Sequence, residues 1–227
     1  MAPENTIAAI LAAIKAGVDG IEFDIRITAD NAIVLCHDGS LLRTFGINQK
    51  ISDSTLEDLK KLTGAEGKTI PTLEEVLKIC PGVDLVIEGK GSNWAVVLAK
   101  QLLNYPNKKQ LAVISFNHIE LSNFGQKCPG IRLYALENQS PLDAINTARL
   151  FDFDGIDVNH WTLNPLVYWL ARHHKLDIVV YTVNRPWMAR FLRLLYPKIA
   201  ITTDVPQLMQ FLRAKPKLVR SKVKSRQ

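Results

Sequence analysis

The sequence predicts an α/β fold: a TIM (β/α)8-type barrel that lacks its first strand in the chain as written. Three observations predict it. Short β-branched runs alternate with helical runs down the chain, and repeated βα units make a parallel sheet with helices packed outside. Seven such strands fall near residues 21, 84, 111, 131, 155, 177 and 199, one short of the barrel's eight. No GxGxxG or P-loop follows any of them, which argues against an open doubly wound nucleotide-binding sheet.

The elements follow in order. Residues 4–17, ENTIAAILAAIKAG, read as a helix closed by Gly17, with no strand before it. Residues 20–28, GIEFDIRIT, alternate strictly: Ile21, Phe23, Ile25 and Ile27 share one face, and Glu22, Asp24, Arg26 and Thr28 the other. AIVLCHD at 32–38 is a second extended run, read as an antiparallel return or a loop extension. Residues 54–62 and 72–80 are short helices, each opened by Ser or Thr with an acid at the third position after, as in a capping box. From DLVIEGK onward strand and helix alternate regularly, ending on the helix VPQLMQFLRA.

Composition bounds the possibilities. With 227 residues, 47% of them hydrophobic, the chain can bury one large core. Residues 1–212 are expected to form one domain and 213–227 a flexible basic tail. Of the 28 Lys and Arg, seven lie in the last 15 residues; the remaining 21 against 22 Asp and Glu leave the body near neutral. Such a tail could make weak contact with an anionic membrane surface, or could simply be a solvated terminus. Nucleic-acid binding would rest on the tail alone and ranks last. Cys36, Cys80 and Cys128 form no CxxC pair and no disulfide framework, which points to a reducing, cytoplasmic compartment. No apolar run is long enough to span a membrane, and the N-terminus has no basic leader before its apolar stretch.

In a (β/α)8 barrel the active site lies at the C-terminal ends of the strands. Glu22 and Asp24 on the first strand and Glu88 on the second should turn inward there. Three buried carboxylates without a partner would cost several kcal/mol each. One divalent cation, Mg²⁺ or Ca²⁺, would satisfy such an oxygen-only set. A network neutralised by Arg26 or Lys90 would do so too, and spacing alone leaves both open. Asp157 and Asn159 sit opposite Ile156 and Val158. His37, in VLCHDGSLLRT, can reach a barrel mouth and titrates in the range useful for proton transfer, or can simply be a loop histidine held by Asp38. His118 and His160 follow strand ends and could line the mouth. There is no GxSxG elbow, catalytic-cysteine context or kinase signature.

The block APENT…AGVDGIEFDIRITADNAIVLCHDGSLLRT resembles the N-terminal signature of glycerophosphodiester phosphodiesterases. VIEGKG, ISF, YTVN and ITTDVP follow in the order of that family's strand-end motifs, so the resemblance covers residues 2–212. It implies a metal-dependent barrel enzyme that hydrolyses glycerophosphodiesters to glycerol 3-phosphate and an alcohol. It implies Glu22, Asp24 and Glu88 as metal ligands, Lys90 facing the substrate phosphate, and His37 as one of two acid/base histidines. It implies attack by the glycerol 2-hydroxyl, with water then opening a cyclic phosphate. Two departures stand out. Gly89 replaces a bulkier apolar residue, which should loosen its strand. Only Met1 and Ala2 precede Pro3, where the family has a strand ending in His-Arg-Gly. The chain is therefore expected to be N-terminally incomplete, to leave unpaired strand edges at 20–28 and 199–204, and to turn over weakly. Two rivals keep the fold: a lysophospholipase D or sphingomyelinase-D-like enzyme, and a catalytically dead barrel that binds metal or phosphodiesters.

Overall fold

The computed structural model describes residues 2–62 and 69–213; the tail expected at 213–227 lies outside them from residue 214. Helix α1 (Ile7–Ala16) starts where Thr6 Oγ1 accepts the Ala9 N–H and stops at Gly17, whose φ of 74° suits a residue without Cβ. Strand β1 (Gly20–Ile27) follows, and β2 (Ile33–Leu35) returns antiparallel, pairing Ile33, Val34 and Leu35 with Ile27, Arg26 and Ile25. A four-residue helix, α2 (Leu42–Phe45), carries no sequence signal of its own. Helices α3 (Leu56–Lys61) and α4 (Leu73–Ile79) both open on capping boxes, Thr55 with Asp58 and Thr72 with Glu75.

Five βα steps and a last strand follow: β3 (Asp84–Gly89), α5 (Trp94–Leu102), β4 (Leu111–Ser115), α6 (His118–Lys127), β5 (Arg132–Glu137), α7 (Pro141–Leu150), β6 (Gly155–Asn159), α8 (Pro165–His173), β7 (Asp177–Tyr181), α9 (Pro186–Leu195) and β8 (Ala200–Ile201). All seven parallel strands lie where the alternation places them. The last helix is instead a 3-10 segment, Pro206–Arg213, entered by a tight Leu208 N–H to Val205 C=O bond.

The sheet order is β2-β1-β3-β4-β5-β6-β7-β8. The curled sheet is a barrel that does not close: among the described residues no strand bridges β8 to β1. The two expected open edges are present with one correction. Over Ile25–Ile27, β2 covers the upper part of the β1 edge, and Asn5 and the Cys36 N–H take up the backbone of Asp24, so only Gly20–Phe23 stays uncovered. The outward face of the sheet, with Phe23, Ile25, Leu85, Ile87, Val113, Ile156 and Val180, packs under the helices and forms the main core. The inward face is mixed. Ala112, Ile114, Tyr134, Leu136 and Val179 fill it with a small apolar plug, and acids occupy the β1, β3 and β6 positions. A third cluster around Leu41, Phe45, Ile51 and Leu59 supports the segment between β2 and α4.

Candidate active site at the barrel mouth

Strand register builds the site. β1 and β3 run parallel with Asp24 opposite Glu88, and period-two alternation puts Glu22 on the same inward face. Oxygens of Glu22, Asp24 and Glu88 all lie within 4.8 Å of one another. Asp24 and Glu88 are buried; Glu22 is walled by protein deep in the cleft but open to its solvent. Burial, then the charges of Asp24 and Glu88, raise the Glu22 carboxyl well above the usual carboxylate range. Burial is likewise the main reason that the Glu88 carboxyl is pushed up to about 7, with Lys90 opposing it.

Lys90 Nζ lies 2.6 Å from Glu88 Oε1 and 3.2 Å from Asp24 Oδ1. One ammonium against three carboxylates leaves an excess of negative charge. Hard oxygen donors at this separation fit a divalent cation, and the raised Glu22 and Glu88 show what its charge would relieve. Arg26, the other candidate counter-charge, is engaged elsewhere: its Nε and Nη2 donate to the His37 carbonyl at 3.0 and 2.6 Å.

That contact fixes the turn carrying His37. The Cys36 N–H donates to the Asp24 carbonyl at 3.1 Å, so the chain leaves β2 at the level of the acids. His37 Nδ1 lies 2.8 Å from Asp38 Oδ1, and Arg43 Nε donates to Asp38 Oδ2 at 2.6 Å. Arg43 and His37 hold Asp38 down to about 2, so it is a carboxylate at any ordinary pH. The side chain of His37 is half exposed and lines the same cleft as the acids. Both readings of this residue therefore coexist: Asp38 holds it, and it faces the site. His118 and His160 do not line the cleft. Their rings sit on the carbonyls of Leu136 and Tyr181, which holds His118 at the start of α6 and His160 in the β6–α8 loop.

Two further residues join the site. Asn5, in the left-handed region at φ 53°, clamps Asp24 from both sides: its Nδ2 donates to Asp24 Oδ2 at 2.7 Å, and its Oδ1 accepts the Asp24 N–H at 2.9 Å. The only sequence signal for it was its place in the PENT block. Asp157 on β6 is 2% exposed, and its Oδ1 has no hydrogen-bond partner. Burial, with Glu88 adding to it, pushes this carboxyl up to about 8. Gly89 does not loosen its strand. A Cβ there would lie 2.3 Å from the Trp94 indole, so the missing side chain lets the ring pack against the strand carrying Glu88 and Lys90.

The acids open into a cleft of about 1090 Å³ that extends along the uncovered gap between β1 and β8. A parallel barrel with a carboxylate cluster, a lysine and a histidine at its mouth is the architecture of a hydrolase for an anionic substrate, and the acidic cluster is consistent with a divalent-metal site. Residues 1–208 match the Glycerophosphoryl diester phosphodiesterase family, and the chain belongs to it. A glycerophosphodiester phosphodiesterase from Caldanaerobacter subterraneus subsp. tengcongensis is 32% identical over 197 residues, 81% of each chain. The crystal structure of a glycerophosphodiester phosphodiesterase from Thermotoga maritima superposes with a TM-score of 0.75 at 28% identity, covering 93% of this chain and 92% of that one. A phosphodiesterase from Oleispira antarctica, solved with the product sn-glycerol-3-phosphate, shares the fold with a TM-score of 0.85 at 24% identity, covering 94% and 92%. Among the described residues no helix is long and apolar enough to cross a membrane.

Proposed function

We propose that this chain hydrolyses glycerophosphodiesters to glycerol 3-phosphate and an alcohol. The observation that carries the reading is the convergence of Glu22, Asp24 and Glu88 beside Lys90 at the mouth of a barrel of this family. Glu22, Asp24 and Glu88 would hold one divalent cation, Mg²⁺ or Ca²⁺, which when bound supplies positive charge to the phosphoryl oxygens. Lys90, fixed between Glu88 and Asp24, orients the substrate phosphate and stabilises charge developing on it. The glycerol 2-hydroxyl gives its proton to solvent and attacks phosphorus as the bond to the leaving alcohol breaks. His37 protonates the departing alkoxide, with Asp38 fixing its ring through Nδ1. Water then opens the cyclic phosphate. Asn5 positions Asp24, and Arg26 positions His37.

Weak turnover belongs to the same reading, because His37 is the only histidine among the described residues that line the cleft. Absence of a second proton-transfer group costs on the order of 10²–10⁴-fold. A cytoplasmic location fits three free, buried thiols.

The test is release of glycerol 3-phosphate from glycerophosphocholine and glycerophosphoethanolamine, with Mg²⁺, Ca²⁺ or EDTA. The expected result is slow, metal-dependent release that Asp24→Asn abolishes. Substrate or metal binding with zero turnover would instead make the chain a binding barrel. Turnover at ordinary enzyme rates would refute the impaired-chain reading.

A further inference from the structure

Asp38 is held on both of its carboxylate oxygens. Its Oδ1 lies 2.8 Å from His37 Nδ1, and its Oδ2 accepts from Arg43 Nε at 2.6 Å. Arg43 reaches further, because its Nη2 donates to Glu4 Oε1 at 2.5 Å. One planar guanidinium thus uses two edges of its fork on two carboxylates. The contacts form an unbroken line, Glu4–Arg43–Asp38–His37, from the segment ahead of α1 to the turn after β2. Glu4 is followed by Asn5, which clamps Asp24. Two consecutive residues therefore brace both halves of the site, one the histidine and the other the acid cluster.

Packing brings Arg43 to this place. The helix that carries it, α2, is only four residues long and is held by its flanks. Leu41 and Phe45 are buried in the apolar cluster with Val34, Cys36, Ile51 and Leu59. The Leu41 N–H donates to the Gln49 carbonyl at 2.9 Å, and the Ile51 N–H to the Gly39 carbonyl at 3.0 Å. The side chains of Arg43 and Glu4 are half exposed, and ion pairs so exposed contribute little to stability. Their effect is on direction. Glu4 and His37 line the cleft, whereas Asp38 and Arg43 do not, so Arg43 reaches the site through Asp38. A carboxylate only accepts, so the proton between Asp38 and His37 belongs to Nδ1. Nε2 is then the ring nitrogen left to serve the cleft.

We propose that Arg43 and Glu4 are positioning residues for His37: by locking Asp38 they hold the imidazole in the tautomer and orientation that deliver its Nε2 proton to the leaving alkoxide. Resting on the phosphodiesterase reading, this assigns the lock to one class of substrate. The proton passes to the alcohol oxygen as its bond to phosphorus breaks. Alkyl diesters need that proton because their alkoxides leave badly; an aryl diester does not, because its phenolate leaves unprotonated. A loose Asp38 lets the ring turn, and misplacing a reacting group by about 1 Å costs on the order of 10²-fold.

The experiment compares the full chain with Arg43→Met, Arg43→Lys and Glu4→Ala by initial rates on two substrates, glycerophosphoethanolamine and the nitrophenyl diester of glycerol phosphate. Arg43→Met should lose about 10–100-fold on the first and less than about threefold on the second. Arg43→Lys, whose single ammonium cannot bridge both carboxylates, and Glu4→Ala should show smaller losses with the same split between substrates. All three should keep the wild-type melting temperature. A second readout needs no substrate. Nitrogen NMR of the neutral imidazoles, with His37 assigned by comparison with His37→Gln, should show the Nδ1–H tautomer in wild type and a mixture of tautomers in Arg43→Met.

Equal losses on the two substrates overturn the proposal and leave Arg43 a purely structural residue. So does a His37 tautomer that Arg43→Met does not change. If Arg43→Met fails to fold, Arg43→Lys and Glu4→Ala decide by the same two readouts. A tautomer change in the variants of a chain that hydrolyses neither substrate upholds the lock on His37 and refutes the phosphodiesterase reading. Wild-type turnover of both substrates with no split among the variants does the reverse.

Discussion

Lys90 is the residue on which the balance of the site turns. It is the cation between Asp24 and Glu88, and its aliphatic stem is largely enclosed. Lys90→Met should destabilise the EDTA-treated protein by about 3 kcal/mol, since it leaves buried carboxylates unpaired. Added Mg²⁺ or Ca²⁺ should restore more of the melting temperature in the variant than in wild type. Equal shifts in both would show that no cation enters this cluster. Asn5 acts one step further out. Asn5→Ala keeps every carboxylate but frees Asp24, and should weaken cation affinity about 10–100-fold by calorimetry. Asp157 makes a pH prediction. Its folded pKa of about 8 stands above its unfolded value, so the folded state binds more protons and the group destabilises the fold as pH rises through this window. It faces Glu22, Glu88 and Tyr181. Asp157→Asn should therefore gain stability over wild type between pH 5 and about 8 in EDTA, measured by urea melts. A constant difference across that range would mean that Asp157 is already ionised.

At the scale of the element, β3 is the strand that chemistry and packing share. Its outward residues Leu85 and Ile87 are fully buried in the main core, while Glu88 and Lys90 emerge at the mouth. Gly89 between them lies under the Trp94 ring, and its carbonyl accepts the Ser115 hydroxyl at 2.8 Å. Gly89→Ala should cost about 1–3 kcal/mol through overpacking against a fully buried indole. It should also lower turnover, because displacing the strand end moves Glu88 relative to Asp24. A melting curve and a glycerol 3-phosphate assay on the same variant measure both. The β2 turn is the complementary element. Its pairing is only three residues long, and Arg26 and Arg43 fix it by charge-assisted bonds where main-chain pairing stops.

For the whole molecule, the open barrel sets the terms. The sheet buries a continuous core on its outer face and holds its acids on the inner face of strands β1, β3 and β6, beside a gap. Binding a cation to the folded chain alone adds about 2.7 kcal/mol at a hundredfold excess over its Kd. The melting temperature of wild type should thus climb with Mg²⁺ or Ca²⁺, and that of Asp24→Asn should not.

The alternation of Glu22 and Asp24 with Ile21 and Phe23 was enough to put both acids on one face, because side-chain direction in a strand is fixed by parity alone. The βα rhythm located all seven parallel strands, the Thr-x-x-acid pattern the caps of α3 and α4, and Gly17 the end of α1, since these signals act within a few residues. The same parity put Glu88 and Lys90 on one face of β3, and the family resemblance gave these two and His37 their expected roles. Only the tertiary structure decided the rest. Register set Asp24 against Glu88, far apart in the chain. Long-range contacts gave Asn5 to Asp24, Arg26 to the His37 carbonyl and Gly89 to Trp94, and removed His118 and His160 from the site. Local chemistry writes the elements and their faces; which faces meet depends on packing between residues far apart in sequence.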